Sequence, residues 1–484
     1  MEAQTAVGLK RLPAWSKIGY GIGNVAYSLP YQTVATFLVF YATAILKIPA
    51  SLSGVVVAIS AVWDALTDPV MGYLSDNTES NRLGRRHPYL LFGALAIALL
   101  SYLLWSIDPQ ADLLAKFAFL LILVLAVKTA LTVYVAPYNA LGGELSTDYD
   151  ERSSIQGYRA FFYISGMIIA IAGSTMIFFR STPEFDRGQL NPAAYPKMAL
   201  TFSLIALGTG LLSFFATRRY IPALPQRSSA MRQHGMSPGS LYRDLLGALK
   251  NHDFLMIALM IFVIEVGFQL GIAIGIHVNT YTYHLSGPMI GMLAMVILGT
   301  SILSQPLWVG MAKKYDKKSA LLVAMIIGLV GFLGAPWTHV WWRIFPIDAQ
   351  TLPYTLALFS FVAGIGNGAF MSLPYSMVAD TADAEELATG KRDEGVFFGM
   401  YTLAYKLGTS FSLLASGFVL NIIGFDPGLQ EQSAATQFNL AMVPTYFLLI
   451  VSPLALYFLS KYRIDRHKFQ EIQQGLAQRR RSSL

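Results

Sequence analysis

Two aspartates lie within an otherwise apolar stretch in the first part of the chain. Asp64 and Asp68 are four residues apart and follow residues 52–63, which are almost wholly apolar. On an α-helix this spacing places both carboxylates on one face, one turn apart. Such a pair predicts a site for a cation, a proton or a basic side chain. A helix end at the water interface is the alternative, which Pro69 favours.

The composition is that of a membrane protein. Of the 484 residues, 54% are hydrophobic and 13% are charged, whereas soluble domains average roughly 25% charged residues. Apolar runs of about 20 residues or more recur between polar turns. The sequence therefore predicts an all-α polytopic membrane protein, and two acids inside one of its helices require a partner or an aqueous cavity. The ~10-residue alternating segments of an outer-membrane barrel are absent.

The basic residues indicate topology. The net charge is +7, but Lys and Arg gather in alternate loops, which predicts a multi-pass protein of the cell (inner) membrane with both termini in the cytoplasm. We therefore expect no nucleic acid partner. The first apolar run is longer than a signal-peptide core and is expected to be a retained helix. The absence of cysteine excludes disulfides and thiolate metal sites.

Twelve spans can be counted, and they divide six and six. A loop rich in Arg, Pro and Ser separates the sets, and the chain is predicted to form an N-terminal half (1–217), a cytoplasmic linker (218–251), a C-terminal half (252–460) and a basic cytoplasmic tail (461–484). Apolar residues at roughly helical spacing place the tail along the inner membrane surface.

An internal repeat supports the two halves. Pro69 recurs as Pro306, and the pair Pro137-Tyr138 recurs as Pro374-Tyr375 at the same offset. Two six-helix halves related by a parallel repeat, with a substrate site near the midplane, describe a transporter with the major facilitator fold. Motifs for ATP binding, zinc binding and serine hydrolysis are absent, so we expect a transporter and not an enzyme, without a cofactor.

Several motifs resemble those of a known family. They are Trp63-Asp64-Ala-Leu-Thr-Asp68-Pro-Val-Met-Gly72, Pro137-Tyr138-Asn139, Val378-Ala-Asp380-Thr-Ala-Asp383 and the segment around Lys406. Together they resemble the glycoside-pentoside-hexuronide cation symporters of the major facilitator superfamily, to which melibiose permease belongs. The resemblance implies cation-coupled symport of a sugar or glycoside by alternating access. It also implies that Asp64, Asp68 and a hydroxyl matching Thr132 hold the coupling ion, H⁺ or Na⁺, and that they are the metal ligands if the ion is sodium.

The substrate residues of the family are only partly matched. By resemblance, Lys406 faces the central cavity and Arg159 is a buried basic residue of the cytoplasmic half. The two sugar-binding acids of melibiose permease fall on Ser28 and Val135, and its stacking aromatic residue falls on Asn139. These departures argue against a galactoside site and favour an anionic sugar, such as a uronide or a sulfosugar.

A lysine shares the face of the predicted ion site on the fourth span. Lys128 lies four residues before Thr132 and seven before Val135. If the fold is right, its ammonium lies near Asp64 and Asp68, where it pairs with one acid and takes the place of Na⁺. We therefore expect proton coupling or a weakened requirement for Na⁺. Alternatively, Lys128 extends to a polar surface.

Other polar residues are candidates for the substrate cavity or for gating. Glu265, with Gln269 one turn later, binds substrate, relays a proton or makes a structural hydrogen bond. The remaining residues predicted to line the cavity are Lys406, Ser28, Asn139, Tyr27, Tyr31 and Tyr405. The predicted gating residues, which could equally be solvated loop charges, are Arg159, Asp380, Asp383 and Arg152.

Two further functions stay open. Val135 and the apolar first span would also suit a symporter of lysolipids or other amphiphiles, and a membrane-embedded enzyme or sensor without transport is the reading from a different class. For the transporter we expect a monomer whose partners are a small-molecule substrate and the membrane lipids.

Overall fold

The computed structural model is built from α-helices. It describes residues 11–78, 83–146, 148–224, 247–344, 350–390 and 394–482. Within these ranges the only β pairing is an isolated bridge between Thr182 and Phe185. Eleven helices in the same ranges are long and apolar enough to cross a membrane.

The chain forms two compact units. The first unit comprises Met1–Gly235, Ser286–Gly291 and Phe425–Gln430, and the second comprises Met236–Leu285, Met292–Gly424 and Glu431–Leu484. Most of the predicted linker, residues 225–246, lies outside the described residues. The exact boundaries of the two halves therefore stay predictions.

The first unit contains seven α-helices in its described part, and two of them continue as π-helix. The helices are α1 (Ala14–Gly21), α2 (Gly23–Phe40, continued by the π-helical turn Tyr41–Ile45), α3 (Ala50–Asn77), α4 (His87–Leu104), α5 (Leu113–Glu144), α6 (Tyr149–Ile168, continued by the π-helix Ile169–Phe178) and α7 (Ala194–Arg218). Asp112 begins α5 by accepting a hydrogen bond from the Ala115 backbone N–H.

The second unit contains most of the helices that follow. They are α8 (His252–His277, continued by the π-helical turn Val278–Thr282), α9 (Gly287–Lys314, whose first residues belong to the first unit), α10 (Lys317–Ile344), α11 (Leu352–Phe370), α12 (Leu373–Thr389), α13 (Glu394–Ile422), α14 (Ala434–Lys461) and α15 (Arg466–Ser482). Pro374 stands in the first turn of α12 and coincides with the break between α11 and α12.

The predicted first span, residues 16–45, is helical but is not among the eleven. It is divided between α1, α2 and a π-helical turn. Within α2, polar residues such as Asn24, Ser28 and Gln32 interrupt the apolar sequence and lower its hydropathy. Asn24 and Ser28 are buried in the unit, so these polar residues of α2 lie against other helices.

Three tyrosines fix α5 against the helices that begin the first unit. Tyr20 and Tyr138 stack with ring centroids 4.6 Å apart. The Tyr20 hydroxyl donates to the Tyr138 backbone carbonyl at 3.0 Å, and the Tyr138 hydroxyl donates to the Tyr20 carbonyl at 2.9 Å. Tyr134 donates to the carbonyl of Gly23 at 3.0 Å. These bonds satisfy buried polar groups, and they set the position of the helix that carries Lys128 and Thr132.

The tail helix α15 packs on the protein. Its apolar residues Ile472 and Leu476 are buried, and a side chain added at Gly475 would meet Leu387 of α12 at 2.8 Å. Gln473 also donates to Asp383 at 2.7 Å. The apolar face that the sequence places along the membrane surface is therefore covered by the second unit instead.

Candidate functional site

Helices α3 and α5 bring four polar side chains together in the first unit. Lys128 Nζ lies 2.7 Å from Asp64 Oδ2. Thr132 Oγ1 donates to Asp68 Oδ1 at 2.8 Å. The two acceptors are one turn apart on α3 and the two donors are one turn apart on α5, so both contacts form in the same register. The structure thus unites all four residues that the sequence predicts for the ion site.

A third contact aligns the same two helices. Trp63 Nε1 donates to Thr129 Oγ1 at 2.8 Å. Both residues immediately adjoin the ion-site residues, since Trp63 precedes Asp64 and Thr129 follows Lys128. The sequence motif therefore contains a positioning residue, Trp63, beside its two acids.

The ion pair lies beside aromatic rings. The side chains of Lys128 and Asp64 are 17% and 24% exposed. Lys128 Nζ is 5.3 Å from the centroid of the Tyr31 ring, a distance at which a cation interacts with the ring face. The Tyr31 ring stacks on that of Tyr27 with centroids 5.3 Å apart. The predicted cavity tyrosines of α2 therefore adjoin the ion site.

One carboxylate of the site contacts a cationic side chain of the protein. The ammonium of Lys128 contacts Asp64 Oδ2 directly, so this oxygen has a positively charged partner. In the described part of the chain, groups of three or more His, Cys, Asp or Glu side chains that could hold a metal ion are absent.

Asn139 and Arg159, predicted for the substrate cavity and the gate, form a second polar pair. Arg159 Nη1 donates to Asn139 Oδ1 at 2.7 Å between α6 and α5. Asn24 of α2 donates to the Arg159 backbone carbonyl at 2.9 Å, which holds this point of α6 in place. Asn139 is exposed and Arg159 is half-buried.

Ser28 does not line a cavity in this structure. It is fully buried, and its hydroxyl packs against Gly166 of α6. The absence of a side chain at Gly166 allows α2 and α6 to approach closely there, and this approach covers Ser28. Ser28 is therefore covered in this structure, and its contact with substrate stays a prediction.

The candidates in the second unit are spread over two helices. Glu265 in α8 is buried and accepts a hydrogen bond from Gln269 Nε2 at 3.2 Å. On α13, Tyr405 is half-buried and Lys406 is exposed. Their substrate roles stay predictions.

The predicted gating residues have partners that the sequence did not suggest. Asp380 is buried and paired with Lys317 Nζ at 2.6 Å, and Asp383 accepts from Gln473 at 2.7 Å. Arg152 donates to the backbone carbonyl of Ser146 at 2.6 Å. The basic run from Lys313 to Lys318, which joins the end of α9 to the start of α10, is the sequence feature that could have indicated a cation near Asp380.

A buried charge cluster in the first unit was also missed. Glu144 Oε1 accepts hydrogen bonds from Arg85 at 2.7 Å and from Arg86 at 2.9 Å. Arg86, which is 4% exposed, also donates to Ser75 at 2.7 Å. The cluster ties the end of α3, the basic turn before α4 and the end of α5, so it fixes both helices of the ion site.

Known proteins resemble the chain over nearly its whole length. The inner membrane symporter YicJ of Escherichia coli is 27% identical over 481 residues, covering 96% of this chain and 95% of the relative. The sodium-dependent lysophosphatidylcholine symporter 1-A of Danio rerio is 24% identical, covering 95% of this chain and 87% of the relative.

A solved structure and a family profile agree with these relatives. The crystal structure of a mutant of the nucleoside transporter NupG matches with a TM-score of 0.66 at 13% identity, covering 93% of this chain and 100% of that chain. At this identity the likeness shows the fold alone, which is the major facilitator fold. The profile of the family described as MFS/sugar transport protein matches residues 19–466. The chain is thus a membrane transporter and belongs to the family of MFS/sugar transport proteins.

Proposed function

We propose that the chain carries a sugar or glycoside through the cell membrane together with a proton, by alternating access. The observation that carries the choice of ion is the 2.7 Å contact between Lys128 and Asp64. An ammonium supplied by the protein fills the role that a coupling cation would have at that carboxylate. Coupling then depends on the second acid, Asp68.

The charges of the site support a proton as the coupling ion. Asp64, Asp68 and Lys128 together carry one negative charge when all three are ionised. A proton on Asp68 brings the sum of these three charges to zero, and a neutral group costs less than an ion in an apolar environment. The Thr132 hydroxyl can donate to the ionised carboxylate and accept from the protonated one, because a hydroxyl does both.

Basic and amide side chains among the predicted substrate and gating residues support an anionic sugar. Arg159 and Asn139 offer a guanidinium and an amide on neighbouring helices, and Lys406 offers an exposed ammonium in the second unit. A guanidinium binds carboxylates and sulfonates through paired hydrogen bonds. Tyr27, Tyr31 and Tyr405 can present aromatic faces to a sugar ring.

The gate, the topology and the oligomeric state belong to the same proposal. Arg152, Arg159, Asp380 and Asp383 would exchange their present partners during the transport cycle. The distribution of basic residues among the loops supports a cytoplasmic position for both termini, and the Escherichia coli relative named an inner membrane symporter supports the inner membrane. We propose that the protein works as a monomer.

A lysolipid is the second candidate substrate. The Danio rerio relative is named as a sodium-dependent lysophosphatidylcholine symporter. In addition, Val135 supplies a half-buried apolar side chain on α5, where melibiose permease has a sugar-binding acid. An amphiphile would use such apolar surface, whereas a sugar would not.

A ligand screen followed by transport measurements tests the proposal. The purified protein is heated with neutral, acidic and sulfonated sugars and with lysolipids, each at two Na⁺ concentrations and two pH values. We expect stabilisation by an acidic or sulfonated sugar, and stabilisation by lysolipids alone would favour the second candidate.

The stabilising compound is then supplied to proteoliposomes under an ion gradient. We expect accumulation driven by a proton gradient, and we expect Asp68→Asn to abolish it because an amide cannot take up the proton. Intact gradient-driven accumulation in Asp64→Asn and Asp68→Asn would show that the ion site is assigned wrongly.

A further inference from the structure

The second unit contains a buried carboxyl group inside a membrane-spanning helix. Glu265 is 8% exposed and lies near the middle of α8. Its hydrogen-bond partner is the neutral amide of Gln269, one turn later on the same helix, at 3.2 Å. Among the described residues, Lys, Arg and His side chains do not form an ion pair with it.

The buried position of Glu265 results from close helix packing. A side chain added at Gly408 of α13 would lie 2.8 Å from Glu265 Cβ and 2.7 Å from the backbone carbonyl of Phe262. At this point α13 therefore touches α8 directly. Rearrangement of one helix would change the exposure of the carboxyl group.

The titratable groups that face Glu265 are neutral. Tyr401 of α13 and Tyr375 of α12 lie within its electrostatic reach, and their rings are 4.7 Å apart. Lys406 lies two residues from Gly408 and therefore on the opposite side of α13. From α14, the apolar side chain of Val451 packs at Gly267, two residues from Glu265. The π-helical turn after α8 begins at Val278, more than three helical turns beyond Glu265, so its residues lie far from the carboxyl group along the helix axis.

Two other glutamates in the described part of the chain, the buried Glu151 and the partly buried Glu144, have cationic partners. Glu151 pairs with Lys17 at 3.1 Å and also accepts from the backbone N–H of Leu12 at 2.8 Å. Glu144 accepts from two arginines, as described above. An ionised carboxylate is stable in such a setting, but one amide donor does not replace the hydration that Glu265 loses.

We propose that Glu265 is a proton-binding site of the second unit, neutral in this conformation, that releases its proton to water when α8 and α13 move apart. Release breaks the carboxyl O–H bond, the proton passes to water, and the carboxylate keeps the electron pair. The Gln269 amide is the donor that contacts this carboxyl group in the structure. The role in transport rests on the proposed function, whereas the protonation state does not.

Infrared spectroscopy of the protein in lipid tests the protonation state without a substrate. At neutral pH we expect the carbonyl band of a protonated carboxylic acid in the wild type and its loss in Glu265→Gln. The matched control is Glu151→Gln, which removes a buried but paired glutamate and should leave the band in place. An unchanged band in Glu265→Gln would overturn the proposal.

A second variant keeps Glu265 and alters its donor. Gln269→Met removes the amide that favours the ionised form, so the band should persist to higher pH than in the wild type. A band that disappears at the same pH in both proteins would contradict the proposed environment. This comparison holds even if Glu265→Gln folds poorly.

A transport measurement distinguishes failure of the Glu265 proton site from failure of the proposed function. In proteoliposomes with the sugar found by the ligand screen, Glu265→Gln should reduce proton-driven accumulation at least tenfold and flatten the pH dependence of the remaining exchange. Undiminished accumulation in Glu265→Gln would overturn the transport role of Glu265. If the wild type accumulates no compound but the infrared band is lost in Glu265→Gln, the proposed function fails and the proton site stands.

Discussion

The ion pair between Lys128 and Asp64 determines the charge of the candidate ion site. Its atoms are 2.7 Å apart in a partly exposed setting, and Asp68 keeps a separate hydrogen bond to Thr132. The two aspartates therefore differ in their contacts. Asp64 contacts a cationic side chain, whereas Asp68 accepts a hydrogen bond from a hydroxyl.

Thr132→Val tests the hydrogen bond at Asp68. Valine keeps nearly the same volume but removes the donor, and a hydrogen bond to a charged group contributes about 1.5–3 kcal/mol. We expect a lower unfolding temperature and weaker proton-driven uptake. Thr132→Ser, which keeps the hydroxyl, should behave like the wild type. Equal unfolding temperatures for the two variants would show that the bond does not stabilise the site.

Helix geometry explains which site residues could be predicted from the sequence. Asp64 and Asp68 share a face by their spacing, as do Lys128 and Thr132, and the family resemblance suggested that their two helices meet. The sequence left open which acid Lys128 contacts. The partner of Asp380 could not be found in this way. Lys317 lies 63 residues away, and the contact depends on how α10 packs near α12.

At the scale of helices, glycines allow two helices to approach closely, and this approach determines which side chains are accessible. Ser28 matches a substrate residue of the family by position but is covered where α2 meets Gly166. Sequence spacing gives the face of a helix on which a residue lies. It does not reveal how closely the neighbouring helix approaches, because that depends on glycines elsewhere in the chain.

Gly166→Ala tests the close approach of α2 and α6. The added methyl group would overlap the Ser28 hydroxyl, so we expect overpacking, which typically costs about 1–3 kcal/mol. The unfolding temperature of the purified protein should fall. Adding Ser28→Ala should recover part of the loss, since it removes the overlapping atom. Two additive effects, without recovery, would contradict the contact.

Ile472→Ala tests whether α15 packs on the protein. Removal of a buried isoleucine side chain typically costs about 2–5 kcal/mol, so the unfolding temperature should fall. The control is Gln474→Ala, which changes an exposed residue of the same helix. If both variants unfold like the wild type, the apolar face of α15 does not stabilise the second unit and the membrane-surface prediction regains support.

At the scale of the whole molecule, composition was sufficient to predict the class of fold. The recurrent apolar runs predicted an all-α membrane protein, and the likeness to solved transporters shows the major facilitator fold. Many large apolar side chains remain exposed on the helices, including Leu303 at 82% and Ile422 at 81%, as expected of surfaces that face lipid. The first span was harder to define, because its polar residues serve helix packing.

A transporter changes conformation as a whole molecule, and this change costs less free energy when its ion site carries no net charge. A membrane protein of this family could reach neutrality with bound Na⁺ or with a proton. In the proposed mechanism Lys128 supplies one positive charge, and one proton on Asp68 brings the net charge of the site to zero. We therefore predict that transport does not need Na⁺.

A sodium titration of the purified protein is the most direct test of whether the protein binds Na⁺. The unfolding temperature is measured in NaCl and in choline chloride at equal ionic strength and pH, for the wild type and for Lys128→Met. The methionine keeps the length of the side chain and removes its charge. We predict that Na⁺ leaves the unfolding temperature of the wild type unchanged and raises that of Lys128→Met in a saturable way. Saturable stabilisation of the wild type by Na⁺ would contradict this prediction.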